Sequence, residues 1–552
     1  MDPGGHLPLG VDAAHAVVKH MRDSRPRRTS SRHSTPYAVR LPNPGKHLYP
    51  APLTPISVPD FRERLDSSPE RPRKAQLYVH LPFCENICTF CPIHKFKLLP
   101  STPVAEYVDS LKAELRELSH LDFIRGLQLT SVYFGGGTPS LISDRHLAEI
   151  AELIFDRFSI ESDVQMTFEG HVGSLTREKL RFVKSLGFQR VSTGVQTFDP
   201  GLRHALNLTP TWEDIERCMH TARHEGFSDF NLDLMFNLPG QTTEIWRRDL
   251  EKAVALSPSG LDLYEAVIAQ ATPLDGQVKR GELPLHEDPA PRAEHYRIAE
   301  EFLSWNGFEH KNLFVWDRPG FQNRLIGSQL HLRDEVLDIV GVGLSAYSLI
   351  DGTPFLNETR RNAYRERVRE TGHGVRFYHD CSMREKQERF MIMSLQNFEL
   401  DRRGFKDAFG EDMDQTFAPQ LASFRSRGLV EETSTGFRLS SVGRAWASTM
   451  AIEFFGSRAV EEILRSRIDG RAFWATREEA FDIPVFAVFH PAILRGWPGL
   501  TLTLQYVKKL RRANGKWLST ILALVLGAAR RYGSPEWGLP KRREGTTTRR
   551  AI

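Results

Sequence analysis

The sequence predicts an α/β protein, a partial (β/α)6 TIM-like barrel followed by a small C-terminal helical, winged-helix-like domain. Short apolar runs of strand character alternate with amphipathic helices between residues 77 and 264. Glycine and charged residues directly follow several of these runs, where a parallel barrel carries its chemistry. After about residue 380 the alternation gives way to short helices and a hairpin-like stretch.

The order of elements follows from hydrophobic periodicity. Strands are predicted at residues 77–80, 131–134, 164–168, 190–195, 230–234 and 261–264. Helices are predicted at 104–118, 147–155, 177–186, 212–225 and 243–256. Strands that alternate with helices at this spacing form βαβ units and a parallel sheet, and this number of units favours a barrel or partial barrel.

Changes in composition along the chain divide it into four parts. Residues 1–73 are rich in Pro, Ser, Arg and His and are expected to be a flexible or loosely wrapped leader. Residues 74–375 form the barrel with an extension, and residues 380–455 the C-terminal domain. Residues 456–552 are an unassigned tail. Its apolar run at 517–529 is too short to cross a bilayer, so we expect a buried helix rather than a membrane-surface helix.

Composition and charge exclude some classes of function. The net charge of +4 results from 73 basic and 69 acidic residues, too even a balance to indicate nucleic acid as the main partner. Three of the five cysteines fall within eight positions, unlike a secreted disulfide framework. Because the N-terminal region also has no apolar stretch of signal-peptide length, we expect a cytoplasmic protein.

The three clustered cysteines indicate an iron–sulfur site. Cys84, Cys88 and Cys91 have the spacing needed to bind three irons of a [4Fe–4S] cluster, which leaves the fourth iron open to a small molecule. The amino and carboxylate groups of S-adenosylmethionine (SAM) suit that open position. Zinc is the alternative, with His94 as a fourth ligand, but the second cysteine pair that zinc usually needs is absent from the sequence. We interpret Cys218 and Cys381 as inert thiols.

The motifs around these cysteines resemble the radical SAM superfamily and, within it, the oxygen-independent coproporphyrinogen III oxidase-like family. The resemblance covers about residues 75–455. It rests on Tyr78-Val79-His80-Leu81-Pro82-Phe83-Cys84, Gly135-Gly136-Gly137-Thr138-Pro139-Ser140, Gly194-Val195-Gln196-Thr197-Phe198-Asp199, Asn231-Leu232-Asp233-Leu234, Leu238-Pro239-Gly240-Gln241-Thr242 and Val340-Gly341-Val342-Gly343-Leu344-Ser345-Ala346.

The resemblance implies a role for individual residues. Cys84, Cys88 and Cys91 would bind the cluster, and Tyr78 and Glu169 would act directly beside the reacting groups, with Glu169 on the SAM amino group. The remaining SAM contacts would come from Phe90, from Gly136, Gly137 and Thr138 at the methionyl part, from Gln196 and Asp233 at the nucleoside, and from Ala266 near adenine. A tight turn at the glycines and a solvated charge at Glu169 are the structural alternatives. Because an unpaired carboxylate in an apolar strand is costly, we expect Asp233 to have a hydrogen-bond partner.

The chain departs from the coproporphyrinogen oxidases at two positions. Those enzymes carry a fourth cysteine two positions after the third, where this chain has Ile93. They also carry an arginine after an asparagine, where Asn207 is followed here by Leu208. Both departures argue against coproporphyrinogen decarboxylation.

Two heme-related branches of the family are also alternatives. The heme chaperones carry an His-Asn-x-x-Tyr-Trp motif that is absent from residues 322–338, and His331 alone does not replace it. The heme-degrading branch shares the Thr89-Phe90-Cys91 ending of the loop and the Glu169-Gly170 strand end.

We therefore predict a radical SAM enzyme that generates a 5′-deoxyadenosyl radical, with methyl or methylene transfer (cyclopropanation) to an unsaturated carbon as its leading activity. The alternatives are tetrapyrrole chemistry, as coproporphyrinogen oxidation or heme degradation, and non-catalytic heme trafficking. The predicted cofactors are the [4Fe–4S] cluster and one or two molecules of SAM. The predicted partners are a small organic substrate and an electron donor such as flavodoxin or ferredoxin, without nucleic acid.

Overall fold

A computed structural model describes residues 35–37, 49, 53–69, 73–269, 272–284, 288–324 and 337–456. The strands are β1 Thr54–Pro55, β2 Arg73–Leu81, β3 Phe83–Cys84, β4 Phe96–Lys97, β5 Leu127–Gly136, β6 Ser159–Gly170, β7 Arg190–Gln196, β8 Asp229–Phe236, β9 Gly260–Glu265, β10 Glu309–His310, β11 Val315–Asp317, β12 Asp338–Val342, β13 Tyr347–Ile350, β14 Thr353–Asn357, β15 Val375–Tyr378, β16 Glu399–Asp401, β17 Val430–Glu432 and β18 Gly436–Leu439.

The described α-helices lie between these strands and after them. They are α1 Val58–Arg64, α2 Val104–Leu118, α3 Asp122–Arg125, α4 Asp144–Arg157, α5 Arg177–Ser185, α6 Pro200–Ala205, α7 Trp212–His224, α8 Thr243–Ala255, α9 Pro273–Lys279, α10 Pro289–Trp305, α11 Arg361–Thr371, α12 Met383–Gln396, α13 Arg402–Phe409, α14 Met413–Thr416, α15 Ala418–Ser426 and α16 Ser441–Met450. Short 3-10 turns occupy Pro139–Leu141 and Ala451–Phe454.

A 13-stranded sheet forms the centre of the molecule, in the order β1-β15-β14-β13-β12-β2-β5-β6-β7-β8-β9-β11-β10. Neighbouring strands from β12 to β9 are parallel, and β2 and β5–β9 are the six strands predicted from sequence. The strand order runs from one edge to the other without returning, so the barrel is partial. The predicted fold class is confirmed.

The helices that connect the parallel strands begin at polar caps and bury one apolar face. Ser143, Thr176 and Thr242 each accept a hydrogen bond from a backbone N–H in the first turn of α4, α5 and α8. Thr211 and Asp214 form a capping box at the start of α7. The predicted helices are therefore present, with ends within a few residues of the predicted ones.

Strand direction places the candidate residues at one end of the sheet. Because β2 and β5–β9 are parallel, their carboxyl ends lie at the same edge. The last residues of these strands are Leu81, Gly136, Gly170, Gln196, Phe236 and Glu265. The cysteine loop follows β2, and the glycine turn follows β5.

Part of the expected leader is packed against the extension. β1 pairs with β15, and the side chain of Phe61 in α1 is buried edge-on against Phe355. The hydroxyl of Tyr37 donates to Glu453 across 2.6 Å, which ties the leader to the last described residues. The limits of the four predicted parts stay predictions.

The C-terminal part combines α12–α16 with the three-stranded antiparallel sheet β16-β18-β17. The predicted hairpin-like stretch is β18, which pairs with β17. The apolar run at 517–529 and the rest of the tail beyond residue 456 lie outside the described residues. Within the described ranges, every helix is too short or too polar to cross a bilayer.

Candidate functional site

The cysteine loop is fixed at its base by β3 and β4. These strands pair in parallel, with Cys84 opposite Lys97. The backbone N–H of Leu98 donates to the carbonyl of Cys84 across 2.8 Å, and that of Phe96 donates to Pro82 across 2.6 Å. The segment after Cys91 therefore runs back along Cys84 and holds it in place.

The tip of the loop is attached to the far side of the barrel. Thr89 donates its backbone N–H to Leu206 across 3.1 Å, and its carbonyl accepts from Leu274 across 2.9 Å. The Asn207 side chain donates to the carbonyl of Ile87 across 2.9 Å. These bonds attach the loop to the segments that follow β7 and β9. The loop is therefore held across the carboxyl ends of the strands.

The three thiols differ in exposure. Cys84 is buried, whereas Cys88 and Cys91 are half-buried. Burial raises the pKa of Cys84 to about 11 and that of Cys88 to about 12, so both are protonated thiols at neutral pH until a metal displaces the proton.

The three thiols can be compared with the ligands that zinc and an iron–sulfur cluster need. In the described ranges, no three Cys, His, Asp or Glu side chains converge on a point where one metal ion could bind. A cubane cluster binds each of three thiolates at a different iron, so a donor set of three cysteines fits that cofactor.

The glycine turn after β5 packs directly on the base of the cysteine loop. Gly136 has φ = 110°, a conformation that favours glycine. A Cβ on Gly137 would lie 2.7 Å from the backbone N and O of Phe83, so only glycine allows this approach. The turn brings the Thr138 hydroxyl to 3.6 Å from the Cys84 sulfur. The glycines thus serve a close approach as well as a turn.

Accessible side chains line the strand ends beyond this turn. Most positions near the ends of the parallel strands are buried, and among the half-buried ones are Tyr78, Glu169, Gln196, Asp233 and Tyr264. The sequence predicted all of these as site residues except Tyr264. Side chains that stay accessible inside a buried sheet surround a space that a ligand can enter.

Glu169 is a carboxylate with little support from the protein. Its Oε2 accepts one long hydrogen bond, 3.3 Å from the Gly136 N–H. Loss of water around the group raises its pKa to about 7. The carboxylate therefore suits a ligand that donates N–H groups or carries positive charge. It is not a solvated rim charge.

Tyr78 and His80 form a hydrogen-bonded pair on β2. Burial lowers the pKa of His80 to about 4, so the ring is neutral. Its Nε2 donates to the carbonyl of His94 across 3.0 Å, which leaves Nδ1 to accept from the Tyr78 hydroxyl, also 3.0 Å away. The Tyr78 ring is thereby fixed beside the glycine turn.

Asp233 has the partners that the sequence led us to expect. Its Oδ1 accepts from the Asn231 side chain at 2.8 Å and from the Ser192 hydroxyl at 3.2 Å. Burial, and then the negative charge of Glu169, raise the pKa of Asp233. The two carboxylates therefore share one electrostatic environment that a cationic ligand would relieve.

Gln196 ends β7 in an unusual backbone conformation. Its φ is 68°, a left-handed value that non-glycine residues adopt rarely. The following turn is secured by Asp249, which accepts from the backbone N–H of Phe198 at 2.7 Å and from the Thr197 hydroxyl at 2.8 Å. The turn thereby holds Gln196 at the accessible end of the strand.

An apolar wall completes the site. Buried Ala266 belongs to a cluster with Met235 and Leu238, and Phe90 of the cysteine loop packs against the same cluster. The structure thus brings together two predicted SAM contacts from distant parts of the chain. Leu208, at the position where the oxidases have arginine, packs against this cluster too.

The sequence did not predict roles for Arg190 and Asp262, which are buried beneath the site, or for Tyr264, which lines it. Arg190 is fully buried, with Asp229 at 3.5 Å and the charge of Asp262 nearby. Asp262 is buried beside Asp233, and the charge of Asp233 adds to burial in raising its pKa. The sequence did contain a pattern that could have identified them. Arg190 in β7 and Asp262 in β9 are charged residues in otherwise apolar strands, and Tyr264 is near the end of β9.

Comparisons with known proteins agree with this geometry. The radical SAM superfamily model matches residues 78–253, and the HemN C-terminal domain model matches residues 382–446. A heme chaperone HemW of Synechocystis is 32% identical over 292 residues, which cover 52% of this chain and 69% of that protein. An anaerobilin synthase of Escherichia coli O157:H7 is 28% identical, with 69% of this chain and 83% of that protein covered.

A solved structure supports the same fold. The coproporphyrinogen III oxidase HemN of Escherichia coli, described as a radical SAM enzyme, superposes with a TM-score of 0.64 at 24% identity. The superposition covers 72% of this chain and 93% of that one. The chain therefore belongs to the radical SAM superfamily, in the oxygen-independent coproporphyrinogen III oxidase-like family, and its cofactors are a [4Fe–4S] cluster and SAM.

Proposed function

We propose that this chain is a radical SAM enzyme that acts on a tetrapyrrole, with heme as the first substrate to test. One observation carries the proposal: the accessible residues at the strand ends lie next to a glycine turn that packs on the cysteine loop. A cluster and a SAM molecule need such neighbouring surfaces, one of thiolates and one of backbone and carboxylates.

In this proposal the chain's own residues bind and orient the two cofactors. Cys84, Cys88 and Cys91 hold three irons, and the backbone at Gly136 and Gly137 lets the methionyl group approach, with Thr138 beside it. When bound, the cluster and SAM together supply a 5′-deoxyadenosyl radical.

The remaining residues fix the orientation of SAM. Glu169 would accept from the amino group, and Tyr78, held by His80, would limit how the amino acid part can lie. Gln196 and Asp233 would bind the nucleoside. Phe90, which packs against the apolar cluster that contains Ala266, would cover the adenine together with that residue.

The names of the relatives support a tetrapyrrole substrate. The solved relative is a coproporphyrinogen III oxidase, and a curated relative is a heme chaperone. Coproporphyrinogen and heme are both tetrapyrroles. Neither of these relatives, nor the anaerobilin synthase, is named as a methyltransferase. Methyl or methylene transfer therefore gains no support and becomes the lesser alternative.

Within tetrapyrrole chemistry, two positions argue against coproporphyrinogen. The Ile93 side chain is exposed, where the oxidases have a fourth cysteine. Leu208 replaces an arginine and lies in the apolar cluster, so no cation stands there. The loop ending Thr89-Phe90-Cys91 and the strand end Glu169-Gly170 resemble the heme-degrading branch, which makes heme the better candidate.

The test uses full-length protein that is reconstituted with iron and sulfide under anaerobic conditions. With SAM, dithionite and heme, we expect 5′-deoxyadenosine together with a ring-opened tetrapyrrole, both measured by liquid chromatography and mass spectrometry. Cys88→Ala is the matched control and should give neither product. Deoxyadenosine with heme left intact would exclude heme as the substrate of the radical.

Non-catalytic heme binding is the second candidate. The observation that favours it is the heme chaperone that is 32% identical to this chain. A stoichiometric Soret complex on heme titration, with no deoxyadenosine in the reaction above, would establish it instead of catalysis.

A further inference from the structure

We propose that the segment from Ile93 to Leu99, beside the cysteine loop, is the docking surface for an acidic one-electron carrier protein, and we take flavodoxin as its representative. The inference rests on the proposed function, because it assumes that Cys84, Cys88 and Cys91 bind the cluster. It adds the place at which the reducing electron enters.

Two exposed apolar side chains lie close together in this segment. Six large apolar side chains are notably exposed in the described part of the chain: Ile93, Leu99, Phe155, Trp305, Met383 and Val442. Ile93, at 42% exposure, and Leu99, at 51%, both fall within eight positions of Cys91. Contacts between proteins combine such apolar anchors with a polar rim.

The polar rim of the segment is mainly positive. Lys97 is exposed and makes no ion pair in the described ranges, and the Arg361 guanidinium lies 4.9 Å from the centre of the Phe96 ring. Lys95 adds a third positive charge, and Glu85 is the opposing exposed charge in the loop. A surface of this sign attracts an acidic partner and speeds its association.

Hydrogen bonds connect the surface directly to the cysteines. Leu98, between Lys97 and Leu99, donates its backbone N–H to the carbonyl of Cys84 at 2.8 Å. The Lys95 ammonium donates to the carbonyl of Cys91 at 2.6 Å. Single hydrogen bonds thus join this segment to two of the cysteines. A carrier bound here would lie near the cluster, which favours the transfer because the rate of electron transfer falls steeply with distance.

The transfer itself balances simply. The reduced flavin of the carrier loses one electron, and the oxidised cluster gains it. No proton moves, and no bond forms or breaks between the two proteins. The contact therefore needs proximity and a brief lifetime, as is usual for small electron-transfer interfaces.

The chain offers a closely matched control site. Phe155 is 47% exposed, and Arg157 lies two positions away, just as Lys97 lies two positions from Leu99. Phe155 and Arg157 are near the end of α4, which precedes the amino end of β6, opposite the cysteine loop. The two pairs share apolar exposure and a basic residue, although Arg157 is ion-paired with Asp156 at 3.1 Å, and they differ in distance from the cysteine loop.

The experiment compares two double variants of the reconstituted holoenzyme, Lys97→Glu with Leu99→Asp and Arg157→Glu with Phe155→Asp. Cluster reduction by reduced flavodoxin is followed by stopped-flow absorbance, and binding of oxidised flavodoxin is measured by fluorescence titration. We expect the first variant to slow reduction on the order of tenfold and to weaken binding, and the second to match the wild type. Equal behaviour of the two variants would overturn the proposal.

Dithionite separates this proposal from the proposed function. With dithionite, both variants should form 5′-deoxyadenosine at the wild-type rate, because a small reductant needs no docking surface. Absence of deoxyadenosine in the wild type would count against the proposed function, while reduction and binding by flavodoxin would still decide the docking. If the double variant loses its cluster, Lys97→Gln takes its place, and an unchanged rate with flavodoxin would then refute the proposal.

Discussion

Two carboxylates in this protein, Glu114 on α2 and Glu169 on β6, lie in contrasting surroundings. Glu114 is fully buried and accepts four hydrogen bonds of 2.7–2.8 Å, from the backbone of Gly343 and Gly374 and from the side chains of Asn357 and Tyr364. Glu169 is half-buried and accepts one bond of 3.3 Å. The protein satisfies the first carboxylate completely and leaves the second open.

The difference separates structural support from a binding site. Glu114 joins α2 to the turn after β12 and to the extension, so its donors come from three separate elements. A carboxylate with four donors has no capacity left for a ligand. Glu169 keeps accessible acceptor positions beside the glycine turn, and among the described residues no cation offsets its desolvation. An incompletely satisfied group is expected where a ligand completes the set.

Removing Glu114 should have the largest effect. Glu114→Ala leaves four buried donors without an acceptor, and we expect a loss of about 3–5 kcal/mol in the free energy of unfolding. Urea-induced unfolding of the SAM-free protein measures this. Glu169→Ala is the comparison variant and should lose less than about 1 kcal/mol. Similar losses for the two variants would contradict the distinction between them.

Replacing Glu169 should affect SAM instead of stability. Glu169→Gln keeps the shape but removes the charge, and we expect the dissociation constant of SAM to rise about 10- to 100-fold, as for the loss of a charge-assisted hydrogen bond. Anaerobic calorimetry of the reconstituted protein measures it. Glu161→Gln, on the same strand at its opposite end, should bind SAM normally. Unchanged SAM affinity in Glu169→Gln would remove this residue from the site.

Several features of the fold and of the candidate site could be predicted from the sequence. The six parallel strands follow from apolar periodicity, and the cysteine spacing and the glycine turn after β5 are local patterns that identify the cofactor end of the barrel. Local order along the chain was sufficient for these features. The roles of Phe90 and Ala266 as SAM contacts came only from the resemblance, and their packing in one apolar cluster is seen only in the structure.

Non-local contacts were out of reach of the sequence. Glu114 occurs among apolar positions of an amphipathic helix, and its donors follow more than 200 residues later, so its role could not be recognised. Ser192, the partner of Asp233, depends on the register between β7 and β8. The packing of Phe61 likewise depends on β14, far along the chain. In each case the partner is set by tertiary structure and leaves no local pattern.

The pH dependence of SAM binding should show the smallest effect. Because the pKa of Glu169 is raised from 4.5 to about 7, the folded protein keeps a proton between these pH values that the unfolded chain has lost. Ionisation of Glu169 therefore lowers the stability of the SAM-free protein as pH rises through this window.

SAM binding offsets this cost of ionisation. The ionised carboxylate only accepts hydrogen bonds from the SAM amino group, whereas the protonated carboxyl group is also a donor. We expect SAM affinity to rise roughly tenfold from pH 6 to pH 8, with most of the change near pH 7. Titrations of the reconstituted protein at several pH values test this, and the rise should disappear in Glu169→Gln. An equal rise in that variant would assign the titration to another group, and the candidate is Asp233, a carboxyl group whose pKa is also raised by burial.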